Sequence, residues 1–145
     1  MSKSVESIQF RLGQLKTLQY ATIDPGGPEG GKINFSAGLA FGADSRTKTL
    51  VCICNYTANV EEKPFIILEV SVEFPVEENS WMEIVNDGKI TLSAEFARHL
   101  GVITVGSARG VLHAKTENTC FNKYVLPTVN VTEMIKEDVS FSFNH

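Results

Sequence analysis

Through the first half of the chain, apolar residues fall at every second position, the period of a half-buried strand. "SIQFRLGQLKTLQYATI" (7–23) alternates at Ile8, Phe10 and Leu12, slips phase near Gly13, and resumes at Leu18 and Tyr20. A slip at a glycine predicts a bulge within one long first strand. "DPGGPEGGK" (24–32) has two prolines and four glycines and predicts a flexible connection without regular structure. "INFSAGLAF" (33–41) places Ile33, Phe35, Ala37, Leu39 and Phe41 on one face of a second strand. "GADSRTKT" breaks the pattern. "LVCICNY" (50–56) is apolar on both faces and predicts a central strand. Asn59 to Pro64 read as a polar turn, and "FIILEVSVEF" (65–74) sets Ile66, Leu68, Val70, Val72 and Phe74 against Glu69, Ser71 and Glu73. Short polar connections after the first crossover favour an antiparallel meander.

The period then lengthens. "NDGK" (86–89) is a turn signal. "SAEFARHLGVITVGSARGVLHAKT" (93–116) predicts a long helix, with Thr91 or Ser93 as cap, Glu95 at the positive end of the dipole, and Phe96, Leu100, Ile103, Ser107, Val111 and Ala114 as its stripe. Gly101, Gly106 and Gly110 oppose this, since each costs about 1 kcal/mol relative to alanine in a helix interior, and "GVITV" alone has strand character. Length favours the helix. Small residues at 97, 101, 108, 110 and 114 favour one packed closely against a neighbour.

Asn130-Val131-Thr132 fits both a glycosylation acceptor and a helix start. Pro127 ends what precedes it, Asn130 can cap, and Glu133 at N3 can reach back to the cap. Val129 and Met134 have the spacing of a hydrophobic staple, and Val131, Met134, Ile135 and Val139 form a helical stripe. "SFSFNH" alternates and trails off. The further acceptor patterns at Asn34 and Asn55 lie inside strand-like runs, and "MSKSVESIQF" has no apolar signal-peptide core, so the helix reading is preferred. The pattern as a whole predicts an α+β domain: a four-stranded antiparallel sheet with a long first crossover, then a long helix and a short C-terminal helix.

A chain of 145 residues predicts one domain, 1–145, able to bury roughly 68–70% of its unfolded surface without staples. The net charge of −4 argues against a nucleic-acid partner and leaves room for basic or apolar polypeptides. No stretch approaches the ~20 apolar residues of a membrane helix. Three cysteines, two of them adjacent in alternation (Cys52, Cys54) and one alone (Cys120), are no disulfide framework. Buried reduced thiols in a cytoplasmic protein are the expectation.

Converging chemistry is absent from the pattern. His99 and His113 are fourteen residues apart, about 21 Å along a helix, too far to share a metal. Cys52-x-Cys54 lacks the second pair a zinc site needs. "GGPEGG" lacks the Lys-Ser/Thr of a phosphate loop. Glu69 and Glu73 share a strand face, as solvated positions commonly do, and the acids at 61–62 and 77–78 read as solvated loop. No catalytic residue, metal or cofactor is expected. Apolar surface beyond what two helices cover is expected instead, and such surface serves self-assembly or polypeptide binding.

"SARGVLHAKTENTCFNKYVLPTVNVTEMI" (107–135) resembles the end of SecB, the bacterial export chaperone. The shared features are Ala108-Arg109 in the long helix, a polar break at Thr116 to Asn118, Leu126-Pro127, and Val129-Asn130 before the last helix. "FIILEV" (65–70) resembles that family's fourth strand and "QFRLGQLKTLQYA" (9–21) its first, so that with gaps the similarity covers nearly the whole chain. The resemblance implies a dimer of dimers that holds unfolded or extended polypeptide in apolar grooves without ATP. It points to Ile33, Phe35, Met134 and Ile135 as peptide-binding residues. On the fourth strand, Ile67 and Glu69 fit the apolar-x-acid pair through which the family docks the SecA translocase. Thr17 and Ala21 stand where further docking acids are expected, the family's C-terminal tail is shortened, and "WMEIVNDGKITL" (81–92) looks like an insertion. A SecB-like chaperone is therefore expected. The alternatives are the same fold dedicated to one partner, such as an antitoxin-type client, without a SecA-linked role, and a small-molecule enzyme, for which the sequence offers no site.

Overall fold

The computed structural model describes residues 8–23, 32–124, 126 and 128–143. The glycine-rich connection at 24–31, Pro127 and His145 lie outside the described residues. Four long strands form the main sheet: β1 (Leu15–Thr22), β2 (Ile33–Asp44), β3 (Thr49–Val60) and β4 (Lys63–Pro75). Their spatial order is β1-β4-β3-β2 and every neighbouring pair is antiparallel. β2, β3 and β4 make the expected meander. β1 returns beside β4, so β1 and β2 are the two edges.

Register follows the alternation. Phe35 stands opposite Ala58, Leu39 opposite Cys54 and Phe41 opposite Cys52. With Ile66, Leu68, Val70, Val72 and Phe74 of β4 they form one apolar face, and β3, apolar on both sides, is an inner strand as predicted. Two details differ from the pattern. The turn between β3 and β4 is only Glu61-Glu62, and Asn59 to Pro64 otherwise belong to the ladder. A register shift between Ala58 and Asn59 lets both Phe65 and Ile66 be buried.

The first strand is shorter than predicted. Phe10 makes an isolated bridge to Val76, and β1 proper begins at Leu15. The bulge lies at Leu18, between Thr17 and Gln19, and not at Gly13. Gly13 serves a different purpose. A Cβ there would sit 2.8 Å from Pro75 Cδ, and its N–H donates to the Glu73 carbonyl at 2.7 Å. The glycine allows close approach of two backbones.

The long helix is α2 in chain order (Ala94–Thr116), because a short α1 (Glu78–Ile84) precedes it. Ser93 is its cap and accepts from the Phe96 N–H at 3.1 Å. Thr91 lies instead in a strand. The face against the sheet is Phe96, Ala97, Leu100, Gly101, Thr104, Val105, Ala108, Leu112 and Thr116. Ile103, Ser107 and Val111 flank this face and Ala114 is exposed, so the predicted stripe is rotated at its C-terminal end. Periodicity misses Thr104 and Thr116 because they are polar. Their hydroxyls donate to the Leu100 and Leu112 carbonyls at 2.9 and 2.7 Å, and burial then leaves no unpaired group.

The chain also builds a second sheet, which the apolar pattern does not predict. β5 (Val85–Asn86), β6 (Lys89–Leu92) and β7 (Val139–Ser142) pair in that order, joining the 81–92 segment to the residues expected to trail off. Asp87-Gly88, both with positive φ, make the two-residue hairpin turn. Glu77 and Glu78 are no loop: Glu77 caps α1, accepting from the Ser80 N–H at 3.1 Å. The C-terminal helix, α3 (Val131–Met134), is a single turn. Val139 opens β7 and does not extend a helical stripe. Trp81, Ile84, Ile90 and Leu92 join the core that α2 and the main sheet bury.

Candidate polypeptide-binding edge

Among the described residues β2 is a free edge, paired only with β3. At its start Ile33 and Phe35 are 37% and 42% exposed, although they share the face that is core elsewhere. Phe35 stacks on Tyr56 with ring centres 6.2 Å apart and planes at 16°. Tyr56 is fixed from behind, its hydroxyl donating to the Tyr124 carbonyl at 3.3 Å. The exposed phenylalanine therefore stands on a rigid floor.

Further along the same edge lies a groove of about 620 Å³. Leu39, Ala40 and Phe41 form one wall, and Glu133 to Glu137 with Val139 form the other. Local sequence explains the second wall. The Asn130 side chain accepts from the Glu133 N–H at 3.2 Å and starts the turn. Val131 and Ile135 turn inward, onto α2 at Gly101. A Cβ at Gly101 would lie 2.9 Å from Leu39 Cδ1, 3.1 Å from Val131 Cγ1 and 3.5 Å from Ile135 Cδ1. One glycine thus brings β2, α2 and α3 together. Arg98 Nε donates to the Ile135 carbonyl at 2.7 Å and holds the end of the turn.

The four residues indicated by the family resemblance are placed unequally. Met134 is 36% exposed beside Leu39 and Phe41. Ile135 lines the same groove but is only 6% exposed, because its side chain is spent on the contact with α2. Ile33 and Phe35 lie outside the groove; Phe35 is four residues, about 14 Å, along the strand from Leu39. Leu39, Phe41 and Val139 belong to the site, although the resemblance does not single them out. For Leu39 and Phe41 a signal exists in the sequence: they are the i+4 and i+6 continuation of the Phe35 face.

Ile67 and Glu69 are on the opposite face of the main sheet, both half-buried. Ile67 stands between Ala21 and Thr57, and Glu69 between Gln19 and Asn55. The bulge at Leu18 separates Thr17 from Ala21: Thr17 pairs with core-facing Val70, and Ala21 alone is beside Ile67, without charge. The Ile67–Glu69 surface and the groove lie on opposite faces of the sheet.

Glu133, Lys136 and Glu137 line the groove, and the cysteines and the histidines at 99 and 113 lie away from it. Cys52 and Cys54 lie in the core, and burial pushes the Cys52 thiol up to about 12 and raises that of Cys54. His99 packs edge-on to Phe10, and His113 meets Glu117 at 3.2 Å near the far end of α2. Among the described residues no group of three or more His, Cys, Asp or Glu could hold a metal ion, and no helix is long and apolar enough to cross a membrane.

No protein-family model matches the chain, and no curated protein matches it by sequence. Among solved structures, the Mycobacterium tuberculosis SecB-like chaperone Rv1957, in complex with a ChAD peptide from the Rv1956 HigA1 antitoxin, aligns with a TM-score of 0.51. The match covers 83% of this chain and 91% of that one at 13% identity. The fold is SecB-like. At this identity the likeness carries the architecture: the four-stranded antiparallel sheet, the long helix and the short helix after it. The work of each residue within the SecB-like frame rests on its own geometry.

Proposed function

We propose that this SecB-like chain is a chaperone that holds extended polypeptide along the β2 edge without nucleotide. The observation that carries the reading is the juxtaposition of an unpaired strand edge with exposed Ile33, Phe35 and Met134 and the Leu39–Phe41 groove. An extended client would bury apolar side chains at roughly 25 cal/mol per Å² and add ladder hydrogen bonds to β2. Self-association, as a dimer of dimers, uses the other edge, where Leu12, Leu15 and Leu18 of the β1 region are exposed. Buried cysteines without disulfides fit a cytoplasmic setting.

Substoichiometric to equimolar protein should slow the aggregation of chemically denatured citrate synthase, with no ATP present. A double change, Phe35→Ser with Met134→Ser, should weaken this at least tenfold while leaving the thermal midpoint nearly unchanged. A chain that has no effect on aggregation would rule the reading out. Light scattering after size exclusion reads the assembly: a monomer would remove the dimer-of-dimers element.

A second reading is a holdase for one dedicated partner. It is favoured by the uncharged Ala21 beside Ile67 and Glu69, which leaves the SecA-type docking face with few acids. It is also favoured by the SecB-like neighbour, whose bound peptide comes from an antitoxin. Affinity capture from the native cell separates the two: one dominant partner supports dedication, and many unfolded clients support the general role. Binding to SecA that is lost in Ile67→Ser or Glu69→Lys would restore the export link.

A further inference from the structure

The second half of the β2 edge is partly covered, across the groove, by a segment that makes no ladder with it among the described residues. Among the described residues β7 pairs with β6 alone, and Val139, at its start, stands across the groove from Leu39, Ala40 and Phe41. The two partners in the β6–β7 ladder are held very differently. Ile90 and Leu92 of β6 are fully buried, and β6 runs directly into the Ser93 cap of α2. β7 is peripheral: Ser140 and Ser142 are exposed, and Val139, Phe141 and Phe143 are only half-buried.

Val139, Phe141 and Phe143 pack against the edge of the core and the Phe143 N–H donates to the Gly88 carbonyl at 3.4 Å, while the polar ties lie at the surface. Four residue pairs join β7 to β6, from Leu92↔Val139 to Lys89↔Ser142. Thr91 and Ser140 meet at 3.1 Å through their hydroxyls, in the open. The Asp138 carboxylate accepts from the Ala94 N–H at 2.9 Å, adding an anion at the positive end of α2. Beyond them Phe143 leans on Trp81 at 6.1 Å. Upstream, α3 is pinned at Gly101, and between α3 and β7 the residues Lys136, Glu137 and Asp138 are exposed. The segment is fixed at one end, lightly clasped at the other, and laid over an edge it leaves unpaired.

The geometry points to residues 136–143 as a strap: β7 peels from β6, uncovers Leu39 to Phe41, and lengthens the binding edge from the Ile33–Phe35 end to the whole of β2. The affinity for a client then depends on how firmly the small sheet clasps its last strand. The inference rests on the reading of the β2 edge as the client site. Strap movement itself can be measured without a client.

The test is a reversible lock, Thr91→Cys with Ser140→Cys, made in a Cys120→Ser background so that the new pair is the only accessible one. Oxidation should slow hydrogen exchange of the amides at 39–43 at least tenfold relative to the reduced form of the same protein. It should also weaken binding of permanently unfolded carboxymethylated α-lactalbumin at least tenfold, and reductant should restore both. The single change Asp138→Ala, which frees the α2 end of the clasp, should shift both in the opposite direction. Identical exchange in the oxidised and reduced forms would overturn the strap. Slowed exchange with neither form binding the unfolded protein would support the strap and overturn the client reading instead. Circular dichroism of the reduced form guards against a folding defect.

Discussion

The inner strands and the edge strands of the main sheet carry the same alternation and meet opposite fates. In β3 and β4 the alternate positions, from Leu50 to Val60 and from Ile66 to Phe74, are buried. In β2 the same face begins with exposed Ile33 and Phe35, and in β1 Leu15 and Leu18 are exposed as well. Alternation says only which residues share a face; burial depends on what lies over that face. α2 packs mainly on β3 and β4 and meets β2 at Leu39, through Gly101, while Ile33 and Phe35 at the start of β2 stay exposed. Exposed apolar residues there add least to the core, and their position beside unpaired backbone is the pattern on which the proposed client edge rests.

The difference is broken most decisively by truncating one residue of each kind. Leu68→Ala, in the core of β4, should cost about 2–5 kcal/mol, the transfer term plus an unfilled cavity. Phe35→Ala, on the same face of β2, should cost under about 1 kcal/mol, since the residue is already 42% exposed and loses mainly its stacking on Tyr56. Urea midpoints at constant slope measure both. Equal losses would mean that Phe35 is core and the edge has no surface to offer.

How far the sequence reveals the molecule follows the same division. The sheet, its inner strands, the start of α2 at Ser93 and the Asn130 cap are all readable, because each rests on residues close together in the chain. The second sheet is not. Val139 to Ser142 are too short to declare a strand alone, and their partner, Lys89 to Leu92, is far upstream. The single turn of α3 reads as a longer helix because Val131, Met134, Ile135 and Val139 keep helical spacing. Nothing local shows that Ile135 is held by Arg98, or that Val139 is claimed by β6. The site is half visible for the same reason. Residues on β2 can be assigned to a face, but the groove exists only where α3 and β7 come to lie against Leu39 and Phe41.

Glycines of α2 sharpen the contrast within one helix. Gly101 is where β2 and α3 converge, so Gly101→Val should overpack the joint and cost about 1–3 kcal/mol, with client binding altered as the groove wall shifts. A methyl group added at Gly106 would meet nothing within 4 Å, and Gly106→Ala should gain up to about 1 kcal/mol from helix propensity alone. Thermal midpoints of the two variants should move in opposite directions. A gain at Gly101 would place the β2–α2–α3 joint elsewhere.

Core and surface also separate by pH. Burial holds the Cys52 thiol up to about 12, against 9.0 for a free thiol. Between these values the folded chain keeps a proton that the unfolded chain has released, so stability is intact below pH 9 and falls as pH rises toward 12. The loss between pH 9 and 10 is about 1 kcal/mol for this one group. Burial of Tyr56, also pushed up to about 12, acts in the same direction at still higher pH. Cys52→Ala should reduce the dependence, leaving the contribution of Cys54, whose thiol burial also raises.

The smallest effect lies at the turn that joins the inner strands beside the edge. Glu61 and Glu62 carry φ of 49° and 70°, a left-handed pair that a two-residue hairpin demands and that Asn-Gly adopts far more easily. The Glu61 N–H donates to the Lys32 carbonyl at 3.3 Å, so the turn is tied to the residue just before Ile33. Changing the pair to Asn-Gly keeps that backbone donor and removes the strain, and should raise stability by about 0.5–1 kcal/mol. The gain belongs to β3 and β4 alone. Client affinity at the β2 edge should stay within twofold, measured with the same unfolded protein at two salt concentrations to expose any contribution from the two lost charges. A larger fall, at low salt only, would extend the binding edge past Ile33 to this acidic turn.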